Sequence, residues 1–180
     1  MKDTAIIVVD MLNDFVTGSL ACERAQRIIS PLAELLAAAR ERELPVIYSN
    51  DSHLPGIDHE LKLWGEHAMI GTPGADIIPE LEPSERDYIV PKRRYSGFFQ
   101  TGLELLLREL GAKTLIICGL HAHMCVRHTT ADAYQWGYRI IVPTDGVDSF
   151  TEEDYLAGLD YLRSVYGAQT PTIAELIKEL

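Results

Sequence analysis

Three side chains suited to nucleophilic chemistry stand close behind apolar runs of the kind that form buried strands: Asp10, Lys92 and Cys125. A thiolate can attack a carbonyl carbon, and a nearby carboxylate can accept the thiol proton. An ammonium group can stabilise the negative charge that develops on the reacting centre. The three residue types together therefore predict a site with an activated thiol nucleophile.

Cys125 is the candidate nucleophile because residues 125–136 have the pattern of a helix that ends at Gly137. A thiol at a helix N-terminus lies at the positive end of the helix dipole, so we expect its pKa to be lowered. The N–H groups of the first turn have no partner within the helix and can bind an oxyanion. The alternative is a buried, inert cysteine, which is our interpretation of Cys118 within its apolar run.

Asp10 and Lys92 each have a structural alternative. A carboxylate at the end of a wholly apolar strand is partly desolvated, which raises its pKa and makes it a proton acceptor, but it can also cap the turn that follows. Most lysines are solvated surface charges, whereas Lys92 at this sheet edge can pair with Asp10. We expect the neighbouring Arg93 and Arg94 to be surface charges.

A second group of residues has the types and spacing of metal ligands. Asp51 and His53 stand two positions apart, and His59 and His67 follow in the next stretch of chain. One carboxylate with two imidazoles suits Zn²⁺, Fe²⁺ or Mn²⁺. The alternative is a set of polar side chains that only satisfy the hydrogen bonds of a loop.

The elements that must position these side chains alternate between strand and helix. Short apolar runs typical of strands buried on both faces of a parallel sheet occupy residues 5–9, 45–49, 88–90, 114–118 and 139–142. Apolar residues with helical spacing occupy residues 23–42, 101–110, 125–136 and 151–166. The alternation predicts an α/β fold with three α/β/α layers and a central, mainly parallel sheet. The site is expected at the carboxyl edge of that sheet.

The composition indicates one domain, residues 1–180. The chain has 180 residues, of which 47% are apolar and 24% charged, and these are ordinary values for a globular protein. The one long and irregular segment comprises residues 52–82, and such segments are often functional loops. The net charge of −11 repels phosphate backbones and anionic lipids, so we expect no nucleic-acid partner and no membrane partner.

We expect a cytoplasmic protein with free thiols. The first residues lack a signal-peptide pattern, and no apolar run approaches the roughly 20 residues that span a bilayer. The cysteines are too few and odd in number for a disulfide framework; they are Cys22, Cys118 and Cys125. We assign no role to Cys22.

Five stretches of the chain match a known family in the correct order. They are residues 8–15, 50–53, 64–75, 92–101 and 119–126. On these stretches the chain resembles the isochorismatase-like cysteine hydrolases, which include nicotinamidases and N-carbamoylsarcosine amidase. The resemblance runs from residue 6 to about residue 149, and its motifs are specific for the superfamily rather than for one substrate. It implies the isochorismatase-like hydrolase fold.

The resemblance also implies a catalytic triad of Cys125, Asp10 and Lys92. Cys125 would attack an amide carbonyl, Asp10 would take the thiol proton and pass it to the leaving amine, and Lys92 would hold and polarise the pair. Water would then release the thioester. The family places a cis peptide bond before the nucleophile, here between Leu120 and His121, which would aim the N–H groups of His121 and Cys125 at the oxyanion.

For cofactor and substrate, the resemblance implies that one divalent ion, with zinc as the first expectation, anchors a pyridine nitrogen. Its ligands would be Asp51, His53 and His67. No organic cofactor is implied. The aromatic walls of the substrate pocket would be Phe15, Trp64 and Tyr95.

Several functions remain open. A nicotinamidase-like amidohydrolase acting on a small amide is the leading expectation, and a hydrolase of N-carbamoyl or ureido amides is its competitor. Isochorismate, an enol ether, is cleaved in the family without the thiol that this chain retains. A redox-active thiol without catalysis and a small-molecule or metal-binding protein are the alternatives from other classes. Exposed apolar residues on the helices, together with family habit, lead us to expect a homo-oligomer.

Overall fold

The computed structural model describes residues 3–180, and a six-stranded sheet lies at its centre. The strands are β1 (Thr4–Val9), β2 (Val46–Ser49), β3 (Tyr88–Ile89), β4 (Thr114–Leu120), β5 (Arg139–Ile141) and β6 (Val147–Asp148). Their order is β3-β2-β1-β4-β5, with β6 beside β4. Each described pairing is parallel, as the apolar runs predicted.

Helices cover the sheet. Within residues 3–180 they are α1 (Asn13–Val16), α2 (Gln26–Glu41), α3 (Leu61–Trp64), α4 (Leu103–Glu109), α5 (Cys125–Gln135), α6 (Glu152–Tyr166) and α7 (Ile173–Glu179). The connections β1-α2-β2 and β4-α5-β5 step in opposite directions along the sheet, so right-handed crossovers place α2 and α5 on opposite faces. α7 packs against α2, and α6 packs against α5. The predicted three layers are confirmed.

The two central strands set the position of the site. Every residue of β1 and β4 is buried, which is why both appear in the sequence as continuous apolar runs. Val9 pairs with Ser49 of β2 and with Gly119 of β4. The residues that follow these three positions therefore emerge together at one edge of the sheet.

The structure differs from the predicted elements in several places. The predicted helix 23–42 begins as a 3₁₀ turn, Glu23–Ala25, before α2 starts at Gln26. β6 and α7 were not predicted, and the two residues of β6 are too few to show a period. The irregular segment 52–82 contains α3 and two 3₁₀ turns, Pro73–Ala75 and Pro79–Leu81. Among residues 3–180, no helix is both long enough and apolar enough to cross a bilayer.

Candidate active site

A buried ammonium group lies between two carboxylates at the carboxyl edge of the sheet. The Nζ atom of Lys92 is 2.7 Å from Asp10 Oδ2 and 2.5 Å from Asp51 Oδ1. Asp51 and Lys92 also form a parallel bridge just beyond β2 and β3, so the backbone itself brings them together. Burial alone would lower the pKa of Lys92, but the two carboxylates outweigh burial and raise it. Lys92 is therefore a buried cation and not a surface charge.

Asp10 is fixed by its own backbone and by the neighbouring strand end. Its φ of +54° is in the left-handed region, where few residues other than glycine are found. Its N–H donates to Asn50 Oδ1 at 3.0 Å, and its Oδ1 accepts the N–H of Asp51 at 2.7 Å. Burial and the negative charge of Asp51 raise the pKa of Asp10 to about 6. The predicted rise is confirmed, and it makes Asp10 a better proton acceptor than an ordinary aspartate.

Cys125 is the first residue of α5 and is buried. Its Sγ and one carboxylate oxygen each of Asp10 and Asp51 lie within 4.8 Å of one another. The expectation of a lowered pKa is wrong. Burial raises the pKa of Cys125 well above its usual value, because desolvation and the two carboxylates outweigh the ammonium of Lys92. The resting thiol is therefore protonated, and it depends on a neighbouring base for activation.

The loop between β4 and α5 contains a cis peptide bond and is fixed by backbone hydrogen bonds. The Leu120–His121 peptide bond is cis, at the position that the resemblance implied. The N–H of Met124 donates to the His121 carbonyl at 2.9 Å, and the N–H of Ala122 donates to the carbonyl of Asp148 in β6 at 2.9 Å. The short strand β6 thus anchors the loop in front of the nucleophile.

Beside these residues, four buried side chains bring metal-ligating atoms together. Asp51, His53, Glu60 and His67 each place one such atom within 4.8 Å of the others. The sequence analysis named three of them and missed Glu60, because a single glutamate in an irregular segment has no spacing that marks it. His59, which has the right residue type, is exposed instead.

Both imidazoles are held through Nδ1. The Nδ1 of His53 lies 3.0 Å from Asp58 Oδ2, and the Nδ1 of His67 lies 2.8 Å from the carbonyl of Gly65. Since a carbonyl and an ionised carboxylate can only accept hydrogen bonds, both Nδ1 atoms carry a proton. In the neutral ring each Nε2 is then left with a lone pair for a metal.

The inner face of the cluster fits a divalent cation. His53 Nε2 is buried without a hydrogen-bond partner in residues 3–180, at 3.6 Å from Asp51 Oδ2 and 3.9 Å from Glu60 Oε2. Burial alone would lower the pKa of His53, but the surrounding carboxylates raise it. The same negative field attracts a metal ion, and two nitrogens with two carboxylates are a donor set that zinc accepts.

Arg93 lies at the surface, as we expected, but it is not an isolated charge there. Its side chain is 45% exposed, yet its guanidinium forms an ion pair with the buried Asp58. This pair holds the pKa of Asp58 well below its usual range. Because Asp58 in turn accepts from His53, Arg93 supports the cluster from outside.

A mainly apolar pocket opens onto both groups of residues. Phe15, Trp64 and Tyr95 lie in its wall, where the resemblance placed them, and Trp64 Nε1 donates to Tyr95 Oη at 2.9 Å. Phe150, which the sequence analysis missed, stacks on Trp64 with ring centroids 6.3 Å apart. It lies two residues after the end of β6, and that strand was too short to predict.

Comparison with known proteins agrees with this geometry. The isochorismatase domain family model matches residues 4–175. The chain belongs to the isochorismatase family. The resemblance drawn from the sequence is therefore confirmed, and so is the isochorismatase-like fold.

Solved structures of this family include amide hydrolases. N-carbamoylsarcosine amidase from Thermoplasma acidophilum is 42% identical, with 96% of this chain and 97% of that chain covered and a TM-score of 0.89. Nicotinamidase PncA from Bacillus subtilis is 34% identical, with coverage of 95% and 99% and a TM-score of 0.90. Pyrazinamidase of Pyrococcus horikoshii, in complex with zinc, is 29% identical, with coverage of 94% and 99% and a TM-score of 0.88.

Proposed function

We propose that this chain is a cysteine-dependent amidohydrolase that cleaves a small planar carboxamide, in the manner of a nicotinamidase. The observation that carries the proposal is the Lys92 ammonium, which contacts both Asp10 and Asp51 beside the thiol of Cys125. A buried nucleophile, a base of raised pKa and a fixed cation are the groups that thioester chemistry needs.

In the proposed mechanism, Asp10 takes the proton of the Cys125 thiol as Sγ attacks the amide carbonyl carbon. The negative charge moves to the carbonyl oxygen, which the N–H groups of His121 and Cys125 stabilise; losing one such donor typically costs about 100-fold or more in rate. Asp10 then gives the proton to the leaving nitrogen, the C–N bond breaks and a thioester remains. Water, deprotonated by Asp10, hydrolyses the thioester and regenerates the thiol. Lys92 keeps Asp10 in place throughout.

A divalent ion, with zinc as the first candidate, would be held by Asp51, His53, Glu60 and His67. When bound, the ion supplies a Lewis acid that can hold a ring nitrogen of the substrate. The unpartnered Nε2 of His53 supports this site, and so does the zinc complex of the Pyrococcus horikoshii relative. Asp51 can serve both groups, because its Oδ1 contacts Lys92 while its Oδ2 lies toward His53.

An N-carbamoyl amide is the second candidate substrate. The 42% identity to N-carbamoylsarcosine amidase supports it. The aromatic walls and the metal cluster favour the ring carboxamide, because a planar ring packs well against Trp64 and Phe150 and a bound cation would supply a partner for a ring nitrogen.

The test is ammonia release from nicotinamide, pyrazinamide and N-carbamoylsarcosine by the wild type and by Cys125→Ala. We expect release from a ring carboxamide that disappears in Cys125→Ala and persists in the control Cys118→Ala. Cys118 is a fair control because it is buried in β4 and burial alone raises its pKa. Release that persists without Cys125 would contradict the covalent mechanism. Release from N-carbamoylsarcosine alone would select the second substrate class.

A further inference from the structure

The imidazole of His121 lies in the pocket wall, and the proposed mechanism does not use it. Only the backbone N–H of His121 has a role in that mechanism. The residue is 4% exposed and lines the same pocket as Cys125. Neither Nδ1 nor Nε2 has a hydrogen-bond partner within residues 3–180. Buried polar atoms in native proteins are nearly always hydrogen-bonded. The missing partner is therefore expected to be a molecule that enters the pocket.

Neighbouring histidines are anchored, and His121 is not. His53 and His67 are held through Nδ1, and His123 places its Nδ1 3.0 Å from Ser149 Oγ. The ring of His121 is instead packed against aromatic rings, with centroid distances of 3.9 Å to Phe150 and 6.0 Å to Phe15. These contacts fix the imidazole in place without satisfying its nitrogens.

The charge state of His121 restricts what it can bind. Burial, aided by the nearby His123, lowers the pKa of His121 to about 3. At neutral pH the ring is uncharged and offers one N–H donor and one lone-pair acceptor. Such a ring matches an uncharged hydroxyl, oxo or amino group. It has no charge to compensate for the burial of a substrate carboxylate.

His121 lies close to the candidate metal cluster. The Phe15 ring contacts both His67 and His121, with centroid distances of 5.6 Å and 6.0 Å. His121 is thus one aromatic ring away from the candidate metal cluster. A ring carboxamide that binds beside the thiol would therefore share the pocket with the His121 imidazole.

We propose that the His121 imidazole is a specificity-determining group that hydrogen-bonds an uncharged polar substituent of the substrate. This inference rests on the proposed function and narrows its substrate class. The preferred substrate is an aromatic carboxamide that carries a hydroxyl, oxo or amino group on its ring, and unsubstituted nicotinamide is a poorer one.

The experiment compares kcat/KM for nicotinamide with kcat/KM for its ring-hydroxylated and ring-aminated derivatives. In the wild type we expect at least one derivative to be preferred by about 10- to 100-fold, because the analogue without the group leaves buried polar atoms unpaired. His121→Phe keeps a ring but has no hydrogen-bonding atom, so the ratio should fall to about one. His121→Gln retains a donor and an acceptor and should keep part of the preference. The control His123→Gln, whose wild-type Nδ1 is already bound to Ser149, should leave the ratio unchanged.

A binding measurement separates recognition from catalysis and from folding. Calorimetry on Cys125→Ala should show a roughly 10- to 100-fold difference in Kd between nicotinamide and the preferred derivative. In the double variant with His121→Phe, this difference should disappear. If the wild type hydrolyses none of the amides, the proposed function fails and this inference fails with it. If the wild type hydrolyses nicotinamide and its derivatives equally well, or if His121→Phe retains the preference, only the inference about His121 is overturned.

Discussion

The two side-chain clusters at the sheet edge share Asp51 but differ in how their charges are satisfied. Around Cys125, the chain supplies its own cation, because Lys92 contacts both Asp10 and Asp51. In the neighbouring cluster, the Nε2 of His53 is buried near two carboxylates and has no partner within residues 3–180. The first cluster is complete once the chain has folded. We expect a bound cation to complete the second.

This difference shows that burial by itself does not assign a role. Burial is the largest cause of the raised pKa in both Asp10 and Glu60, to about 6 and about 7 respectively. Asp10 nevertheless lies between an ammonium group and a thiol, whereas Glu60 faces an imidazole nitrogen 3.9 Å away. The neighbours therefore separate a proton acceptor from a candidate metal ligand.

Removing the internal cation should have the largest effect. Lys92→Met leaves two buried carboxylates without their shared cation, so we expect the free energy of unfolding to fall by about 3–5 kcal/mol and activity to be lost. Urea unfolding followed by circular dichroism measures the change. The control Lys62→Met, at an exposed position of α3, should change the free energy by no more than about 0.5 kcal/mol. Equal stability of Lys92→Met and wild type would show that this cluster does not depend on its ammonium.

Exchanging one carboxylate in each cluster separates proton transfer from metal binding. Asp10→Asn removes the proton acceptor while keeping the side-chain shape, so kcat should fall by about 100- to 10,000-fold. Glu60→Gln loses the negative charge but keeps an oxygen atom that can ligate a metal. We therefore expect this variant to lose activity and added zinc to restore most of it. The measurement is kcat of both variants as a function of zinc concentration. Recovery of Asp10→Asn by zinc would contradict the division of roles between the clusters.

Removing the carboxylate that supports the metal cluster should have the smallest effect. Asp58→Asn removes the carboxylate that holds His53 Nδ1, and we expect zinc affinity to fall by about 10- to 100-fold. Competition with a chromophoric chelator measures the affinity without reference to activity. Asp87→Asn is the matched control, because the side chain of Asp87 is also buried and pairs with Arg40 at 2.6 Å, at the opposite end of β3. An equal loss of zinc affinity in both variants would assign the effect to general destabilisation.

Much of the architecture was predictable from short stretches of sequence. A strand that is buried on both faces has to be apolar along its whole length, so β1 and β4 are visible without any knowledge of their neighbours. Parallel strands present their carboxyl ends at one edge. For that reason, Asp10, Lys92 and Asp51 could be expected to converge before their contacts were known.

Features that depend on loop conformation could not be predicted. Glu60 and Phe150 reach the pocket from segments without a regular period. His67 was named as a candidate ligand, but its position depends on a contact across 54 residues of sequence, in which Asp14 Oδ2 accepts the N–H of Ala68 at 2.8 Å. The ion pair of Arg93 with Asp58 could not be predicted either, because nothing in the sequence around either residue indicates which residue it contacts.

The sequence by itself indicated the carboxyl edge of a parallel sheet as the place of the candidate site, and it supplied the residue types found there. Only the tertiary structure decided the state of those residues. The position of Cys125 at a helix N-terminus is a local property and suggests a lowered pKa, but its burial beside Asp10 and Asp51 raises the pKa instead. Periodicity and residue type act over a few positions, whereas desolvation and electrostatic fields sum over every element packed around a site.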